Sequence, residues 1–261
     1  MKKFHQFVRV ERGPVNAAII DILSGDVFHV PLDVVDKFEA GEYGDIGEFM
    51  QVAEEESLLI DLDGNSWVPD IYLEPDPEVE KKKEPSIELH LEEGLPIREI
   101  LQAFQHHSVS KVYYYGPQLP ADFTLNPLFE LKEKNFERCR KRASVDGDFC
   151  QIQESVVRFN MNYNSCWGSV IAVTGDGNIR PCVHSETIIG RIEEELRDID
   201  GLIEKMNPFW TVSKDKVERC RDCEFRYICF DCREKAMRES GRMDGANPLC
   251  RYNPHTGEWN D

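Results

Sequence analysis

The chain has 261 residues, with 31 Lys and Arg against 49 Asp and Glu, giving a formal net charge of -18. Affinity for nucleic acid relies on Lys and Arg displacing counterions from phosphates, so this charge argues against a nucleic-acid partner. No stretch approaches the roughly twenty consecutive apolar residues of a membrane span, which argues against a membrane partner.

The chain contains nine cysteines. Dense disulfide frameworks are typical of small secreted proteins, whereas a chain of this length buries a core without cross-links. Its first residues, Met1 to Phe7, contain no apolar run of signal-peptide length. We therefore expect a cytoplasmic protein with reduced cysteines.

Residues 1–73 predict a small α+β module, a candidate for peptide binding. Apolar, β-rich stretches and the turn signal Ser24-Gly25-Asp26 predict strands joined by a hairpin, and Gly41 marks the expected end of a helix. The predicted strands are 6–10, 17–22 and 58–61, and the predicted helices are 31–41 and 46–55.

Residues 74–86 predict a linker, because this stretch is charged, rich in proline and almost without large apolar side chains. After it, residues 87–160 predict a truncated β-α-β segment that resembles a degenerate half-barrel, with parallel strands and a right-handed crossover. The expected elements are strands at 87–90 and 111–115 around a helix at 96–106, then a helix at 126–142 and a strand at 156–160.

Residues 161–261 form the third predicted unit, with a β-hairpin and short helices. Thr174-Gly-Asp-Gly177 has the glycines that a hairpin turn needs, so it predicts a turn and not a nucleotide-binding loop. The expected elements are strands at 170–173, 179–182 and 187–192, and helices at 196–206 and 214–219. The whole chain is therefore expected to mix α+β and α/β organisation.

The cysteine-rich stretch that begins at Cys220 predicts a metal site. Cys220, Cys223, Cys229 and Cys232 have gaps of two, five and two residues, and Cys250 follows. Tetrahedral thiolate ligation suits both zinc and iron–sulfur centres, so both remain open at this point. The short gap between the two Cys-x2-Cys pairs is unlike the longer loop of most zinc ribbons.

Two upstream cysteines extend the pattern. The order Cys166, Gly177-x4-Cys182, Cys220-x2-Cys223-x5-Cys229-x2-Cys232 and Cys250 resembles the SPASM domain of radical-SAM peptide maturases. That resemblance covers about the last hundred residues and implies one or two auxiliary [4Fe-4S] clusters. One gap departs from the family pattern, because two residues stand before Cys232 where the family has three.

A closer resemblance is to the SPASM proteins of grasp-with-spasm systems. It rests on the phrase from Cys220 to Arg233, on Trp210 and Lys214-Asp-Lys216 before it, and on the run from Ala18 to Pro31. The resemblance implies two partners, a ribosomally made precursor peptide and an ATP-grasp ligase.

Radical-SAM chemistry needs a Cys-x3-Cys-x2-Cys triad, which the sequence lacks. Cys139 and Cys150 are the only cysteines upstream of Cys166, and they stand eleven positions apart. We therefore expect no radical-SAM activity. Both are expected to be small buried apolar residues.

The wider family implies two ligand sets. Cys220, Cys223, Cys229 and Cys250 would hold one cluster, and Cys166, Cys182 and Cys232 would hold the other. The second set is one cysteine short, with His184, Cys150, water or a substrate group as candidates for the open position. The charges of Arg219, Arg221, Arg226 and Arg233 would offset thiolate-rich clusters.

Three functions follow from these patterns. The first is an iron–sulfur accessory or maturase protein that binds the precursor peptide, the ligase or both. The second is an enzyme that uses the under-ligated cluster for redox or Lewis-acid chemistry on the peptide. The third is an interaction scaffold stabilised by zinc.

Overall fold

The structure is a computed structural model, which describes residues 2–61, 85–134 and 152–260 of the chain. Its N-terminal module is an antiparallel sheet with helices against one face. Strand β3 lies between β2 and β4, while β1 pairs with β5. Gly41 ends α1 with φ of 79°, a left-handed conformation that glycine adopts without steric cost. The elements are β1 Lys2–Phe4, β2 Val8–Arg12, β3 Asn16–Asp21, β4 Val27–Pro31, α1 Leu32–Ala40, α2 Gly47–Glu55 and β5 Leu59–Asp61. The predicted strands and helices of this module are confirmed.

Strand β3 is buried on both faces, which explains its unbroken apolar sequence. Ala17 and Ile19 pack with Val35 of α1 in one cluster. Ala18 and Ile20 point the other way, into a cluster that includes residues of the cysteine-rich segment. The N-terminal sheet therefore shares a core with the C-terminal part of the chain.

The central feature is a six-stranded mixed sheet with the order β11-β10-β9-β6-β7-β8. Its strands are β6 Ile87–Glu92, β7 Val109–Tyr115, β8 Phe129–Leu131, β9 Val170–Val173, β10 Asn178–Arg180 and β11 Gly190–Arg191. Strands β9, β6, β7 and β8 are parallel, and β10 and β11 add antiparallel pairs. The predicted β-α-β unit is confirmed, with helix α3, Ile97–Ala103, between β6 and β7.

The pairing of β6 with β9 joins segments 87–160 and 161–261 in one sheet. The chain proceeds from β6 to β7 and β8 on one side, then returns to place β9 on the other side of β6. The strand order therefore reverses at β6. The linker predicted at 74–86 lies almost wholly outside the described residues.

Four further α-helices follow in the described residues, and the first and last of them lie near cysteines. They are α4 Glu154–Asn162, α5 Ile192–Glu195, α6 Ile199–Trp210 and α7 Arg233–Ser240. Leu202, Met206 and Trp210 of α6 are buried against the central sheet. A last short hairpin pairs β12, Tyr252–Asn253, with β13, Glu258–Trp259.

Two predicted elements between residues 126 and 160 are wrong. The helix expected at 126–142 is replaced in its described part by β8, because Phe129 is buried in the sheet core and pairs with Val112. The strand expected at 156–160 is helix α4, in which Val157 and Asn160 are the buried residues. Their spacing of three positions is helical, whereas the adjacent valines suggested a strand.

Three other predictions in the C-terminal unit need smaller corrections. The helix expected at 214–219 is a 3-10 turn, Lys214–Lys216, because the chain then bends to bring Cys220 to the site. The strand expected at 187–192 is confined to Gly190–Arg191, and α5 begins at Ile192. The helix expected at 196–206 is found slightly later, as α6. The hairpin of β9 and β10 is confirmed.

Among the described helices, none combines the length and apolar character needed to cross a bilayer. The longest has twelve residues, and it packs against the central sheet.

Candidate metal centre

The cysteine-rich segment is built from tight turns. Arg219 adopts φ of 66°, and a single 3-10 turn, Cys220–Asp222, follows it. The amide of Cys223 donates to the carbonyl of Cys220 at 3.0 Å, and the amide of Arg226 donates to the carbonyl of Cys223 at 3.2 Å. Each turn brings the chain back toward its starting point.

The first group contains Cys220, Cys223, Cys229 and Cys250. Charges on the first three interact with one another. Burial raises the pKa of Cys220 to about 12 and also raises that of Cys223. Cys223, Cys229 and Cys250 pack against one apolar cluster, whose members include Phe225, Ile228 and Tyr252. These four are the cysteines of the first implied set.

The second group contains Cys166, Cys182 and Cys232. A hydrogen bond joins the thiols of Cys166 and Cys232, which raises the pKa of Cys166 and lowers that of Cys232 to about 7. The charge of Cys182 also acts on Cys166. These three are the cysteines of the second implied set.

Local structure explains how the second group is positioned. The side chain of Asn164 accepts hydrogen bonds from the amides of Cys166 and Trp167 at 2.7 and 2.9 Å and donates to Val212. Cys182 follows the β9–β10 hairpin. Sequence reasoning missed Asn164, although an Asn two positions before a cysteine is a recognised turn signal.

A buried lysine lies beside the first group. Lys214 is 2% exposed, and its ammonium donates a hydrogen bond to the carbonyl oxygen of Cys229 at 2.8 Å. Burial alone lowers the pKa of Lys214, but negative charge on Cys229, Asp231 and Cys220 raises it above its ordinary value. A buried ammonium requires nearby negative charge, because its desolvation is costly.

A buried arginine links the two groups. Arg233 is fully buried, and its Nε lies 2.6 Å from Oδ2 of Asp231. Burial lowers its pKa, whereas Asp231, Cys220 and Cys166 act to raise it, and the net direction is upward. Cys220 belongs to the first group and Cys166 to the second, so negative charge in either group would stabilise this guanidinium.

The other predicted arginines have different settings. Arg219 donates to the carbonyl oxygen of Cys250. Arg226 lies 2.6 Å from Glu11 of β2, which ties the cysteine-rich loop to the N-terminal sheet. Arg221 is exposed. The sequence predicted four arginines near the cysteines but did not show that Arg233 is the one that is fully buried. It also gave no sign that Lys214 is buried, because lysine is almost never fully buried.

A second link to the N-terminal sheet is centred on Glu224, which is fully buried. Its Oε1 lies 2.8 Å from Nε2 of His29 and accepts a hydrogen bond from the hydroxyl of Tyr252. Glu224 directly follows Cys223. The contact of Glu224 with His29 therefore ties the Cys220–Cys223 pair to β4.

His184 lies beside a cavity at the edge of the central sheet, together with Glu92 and Lys134. Burial, followed by the charges of Lys134 and Arg238, lowers its pKa to about 4. Cys139 and Cys150 lie outside the described residues.

Within residues 2–61, 85–134 and 152–260, no group of three or more His, Cys, Asp or Glu side chains has the geometry to hold a single metal ion. A cubane cluster needs a wider arrangement, because each thiolate binds a different iron atom. The donors present are seven thiols in two groups, with two buried cations beside them. Thiols can ligate an iron–sulfur cluster or a tetrahedral zinc ion, whose four ligands lie at about 2.0–2.3 Å from a single centre.

The fold and the site together define a mixed α/β protein with a cysteine-rich C-terminal segment. Neither a protein-family model nor a solved structure matches the chain. A protein of Archaeoglobus fulgidus named "Uncharacterized protein" is 32% identical over 124 residues, which cover 42% of this chain. The match covers 29% of that protein, so the chain corresponds to well under half of the relative's length.

Proposed function

We propose that this protein is a cytoplasmic iron–sulfur accessory protein of a system that modifies a ribosomally made peptide. The observation that carries the proposal is the burial of Lys214 and Arg233 among cysteines that fall into two groups. Asp231 lies beside Arg233 and supplies one negative charge, and thiolate-ligated clusters would supply the remainder. The SPASM-like order of the seven cysteines supports the same conclusion.

The cluster ligands would be the two groups of thiols. When bound, iron–sulfur clusters supply electron transfer or, at an open iron, a site for a ligand. The described residues contribute the remaining functions: Lys214 and Arg233 offset charge, Asn164 orients Cys166, and the apolar cluster around Phe225 limits access of water.

The precursor peptide would be engaged by the N-terminal sheet. Strands β2 and β4 each pair only with β3 among the described strands, so their outer edges keep backbone groups that an added strand can bind. His29 and Arg226 connect these strands to the cysteine-rich loop. A bound peptide would therefore lie close to the first group of cysteines.

ATP would belong to the ATP-grasp partner. Gly177 has φ of 80°, and its amide donates to the carbonyl of Thr174 at 2.8 Å, so these glycines close the β9–β10 turn. Their role in the turn supports assigning nucleotide chemistry to another chain.

Anaerobic purification with absorbance and metal analysis tests the proposal. We expect a brown protein with roughly four to eight irons per chain, the stoichiometry of one or two cubane clusters. Stoichiometric zinc without iron would reject it. That result would support the zinc-stabilised scaffold, a colourless protein that loses its fold when a chelator removes zinc.

A second candidate function is catalysis at the under-ligated second cluster. The second group has three cysteines, and helix α7, which begins directly after Cys232, also borders the cavity near His184. A mass change in precursor peptide incubated with this protein and a reductant, without the ligase, would support it. No mass change, together with full iron loading, would favour the accessory role.

A further inference from the structure

Buried side-chain atoms without a hydrogen-bond partner gather around the second group of cysteines. Among the residues that the structure describes, they include Oγ of Ser165, Nε1 of Trp167, Nη2 of Arg233 and Oε2 of Glu234. All four residues lie within two positions of Cys166 or Cys232 in the sequence. Because an unpaired buried polar atom is costly, these atoms indicate a bound group that the cysteines hold.

The unpaired atoms are of two chemical kinds. The indole of Trp167 and the guanidinium of Arg233 are donors, and the sulfurs of an iron–sulfur cluster accept hydrogen bonds. The carboxylate of Glu234, when ionised, can only accept. Its Oε2 therefore gains nothing from a cluster sulfur, whereas an iron atom accepts the electron pair that this oxygen offers.

The carboxylate of Glu234 is buried and held in one orientation beside the second group. Glu234 lies in the first turn of α7 and is 2% exposed, and its Oε1 accepts a hydrogen bond from Nε of Arg238 at 2.8 Å. The negative charge of Glu234 acts on Cys232, and that of Cys182 acts on Arg238. The carboxylate thus lies near Cys232, and the arginine that orients it lies near Cys182. Carboxylates that bind a metal commonly have such an outer hydrogen bond.

We propose that Oε2 of Glu234 is the fourth ligand of the second cluster. The inference rests on the proposed function, because it requires a cluster on Cys166, Cys182 and Cys232. The oxygen would donate a lone pair to one iron, and no atom would change its oxidation state. Oxygen donors are harder than thiolates, so this iron would differ from those that the cysteines hold. The second cluster would then have no open position, which favours the accessory role over catalysis.

Two other side chains near the second group are engaged elsewhere. Asp231 is also buried, but its Oδ2 lies 2.6 Å from Nε of Arg233, and its charge acts on Lys214 on the side of the first group. His184 borders the open cavity at the edge of the central sheet. Of the three, Glu234 is the one whose second oxygen is oriented by an arginine while its first is left for iron.

Spectroscopy of the full-length protein, purified anaerobically, tests the inference. Mössbauer spectra of protein enriched in the resonant isotope of iron should show that about one iron in four of the second cluster differs from its neighbours. Electron–nuclear double resonance of the reduced cluster in isotopically labelled water should show no solvent oxygen on iron, because the carboxylate occupies that position. Glu234→Ala should gain the solvent signal, because water can enter the vacated space.

Glu239→Ala is the matched control, because Glu239 lies on the same helix and is exposed, and it should keep both wild-type spectra. Equivalent irons in the second cluster of the wild type, a solvent oxygen bound to that cluster, or a Glu234→Ala spectrum identical to the wild type would each overturn the inference. The first two results come from the wild type alone, so the test does not depend on the folding of a variant. Protein without iron would overturn both proposals, whereas any of these three results at full iron loading would overturn only this one.

Discussion

The ammonium group of Lys214 donates a hydrogen bond to the carbonyl oxygen of Cys229 at 2.8 Å, in a position that is almost completely shielded from solvent. The acceptor is a neutral carbonyl, so the lysine depends on nearby negative charge. Asp231 supplies part of it, and Cys220, whose pKa burial raises to about 12, supplies charge only when it is deprotonated. Charge balance at this point is therefore coupled to the state of the cysteines.

Replacement of this lysine tests the coupling. Lys214→Met removes a buried cation, and we expect a loss of about 3 kcal/mol in the free energy of unfolding, because neighbouring negative charge is left uncompensated. The control is Lys216→Met in the same short turn, where the side chain is exposed and bonds to the carbonyl of Thr211. Anaerobic urea denaturation measures both, with the control expected within about 0.5 kcal/mol of wild type. Similar losses in the two variants would contradict the assigned charge balance.

Cysteine variants test the division into two groups. Cys220→Ser should remove the cluster of the first group and Cys182→Ser that of the second, each lowering a two-cluster iron content by about half. Combining Cys220→Ser with Cys223→Ser should lower iron no further, whereas combining Cys220→Ser with Cys182→Ser should remove nearly all of it. Iron determination on anaerobic preparations gives the answer. Additive losses within the first group would show that the grouping is wrong.

The glycine of the resemblance pattern has a physical role that can be measured. Gly177 has φ of 80°, and a Cβ placed on it would lie 2.9 Å from Oε1 of Glu193. Gly177→Ala should destabilise the fold by about 1–2 kcal/mol, the strain of a left-handed backbone. Gly44→Ala is the control, because no atom lies within 4 Å of its added Cβ. Thermal unfolding compares them, and equal midpoints would contradict the role of Gly177 in the turn.

His184 predicts a pH dependence of stability. Its pKa is lowered from 6.5 to about 4, chiefly by burial. The unfolded chain therefore binds more protons on this group between those values, and its contribution to stability is lost as the pH falls from 6.5 toward 4. His184→Gln should reduce the fall in urea midpoint across this window. A wild-type and a variant profile of the same steepness would argue against the assignment.

Much of the local structure could be predicted from sequence. Alternating and continuous apolar runs identified β3, β6 and β7, and Gly41 and Gly177 marked a helix end and a hairpin turn that the structure contains. These features are decided within a few residues, because glycine alone adopts positive φ freely. The spacing of the cysteines predicts a shared metal site for these thiols.

The types of two elements, β8 and α4, could not be predicted from local sequence patterns. Phe129 lies in a strand because β7 offers it a pairing partner and a buried position, and α4 is helical because Val157 and Asn160 face the core. Tertiary packing overrides propensity in short segments, since a few residues contribute little intrinsic preference.

The amino-acid sequence by itself determined the turns, the parallel β-α-β unit and a seven-cysteine pattern. Only the tertiary structure placed β9 beside β6, buried Lys214 and Arg233 among the cysteines, and formed a cavity at the reversal of the sheet. The physical reason is that burial and charge pairing depend on residues far apart in the chain, whereas turns depend on the backbone of neighbours.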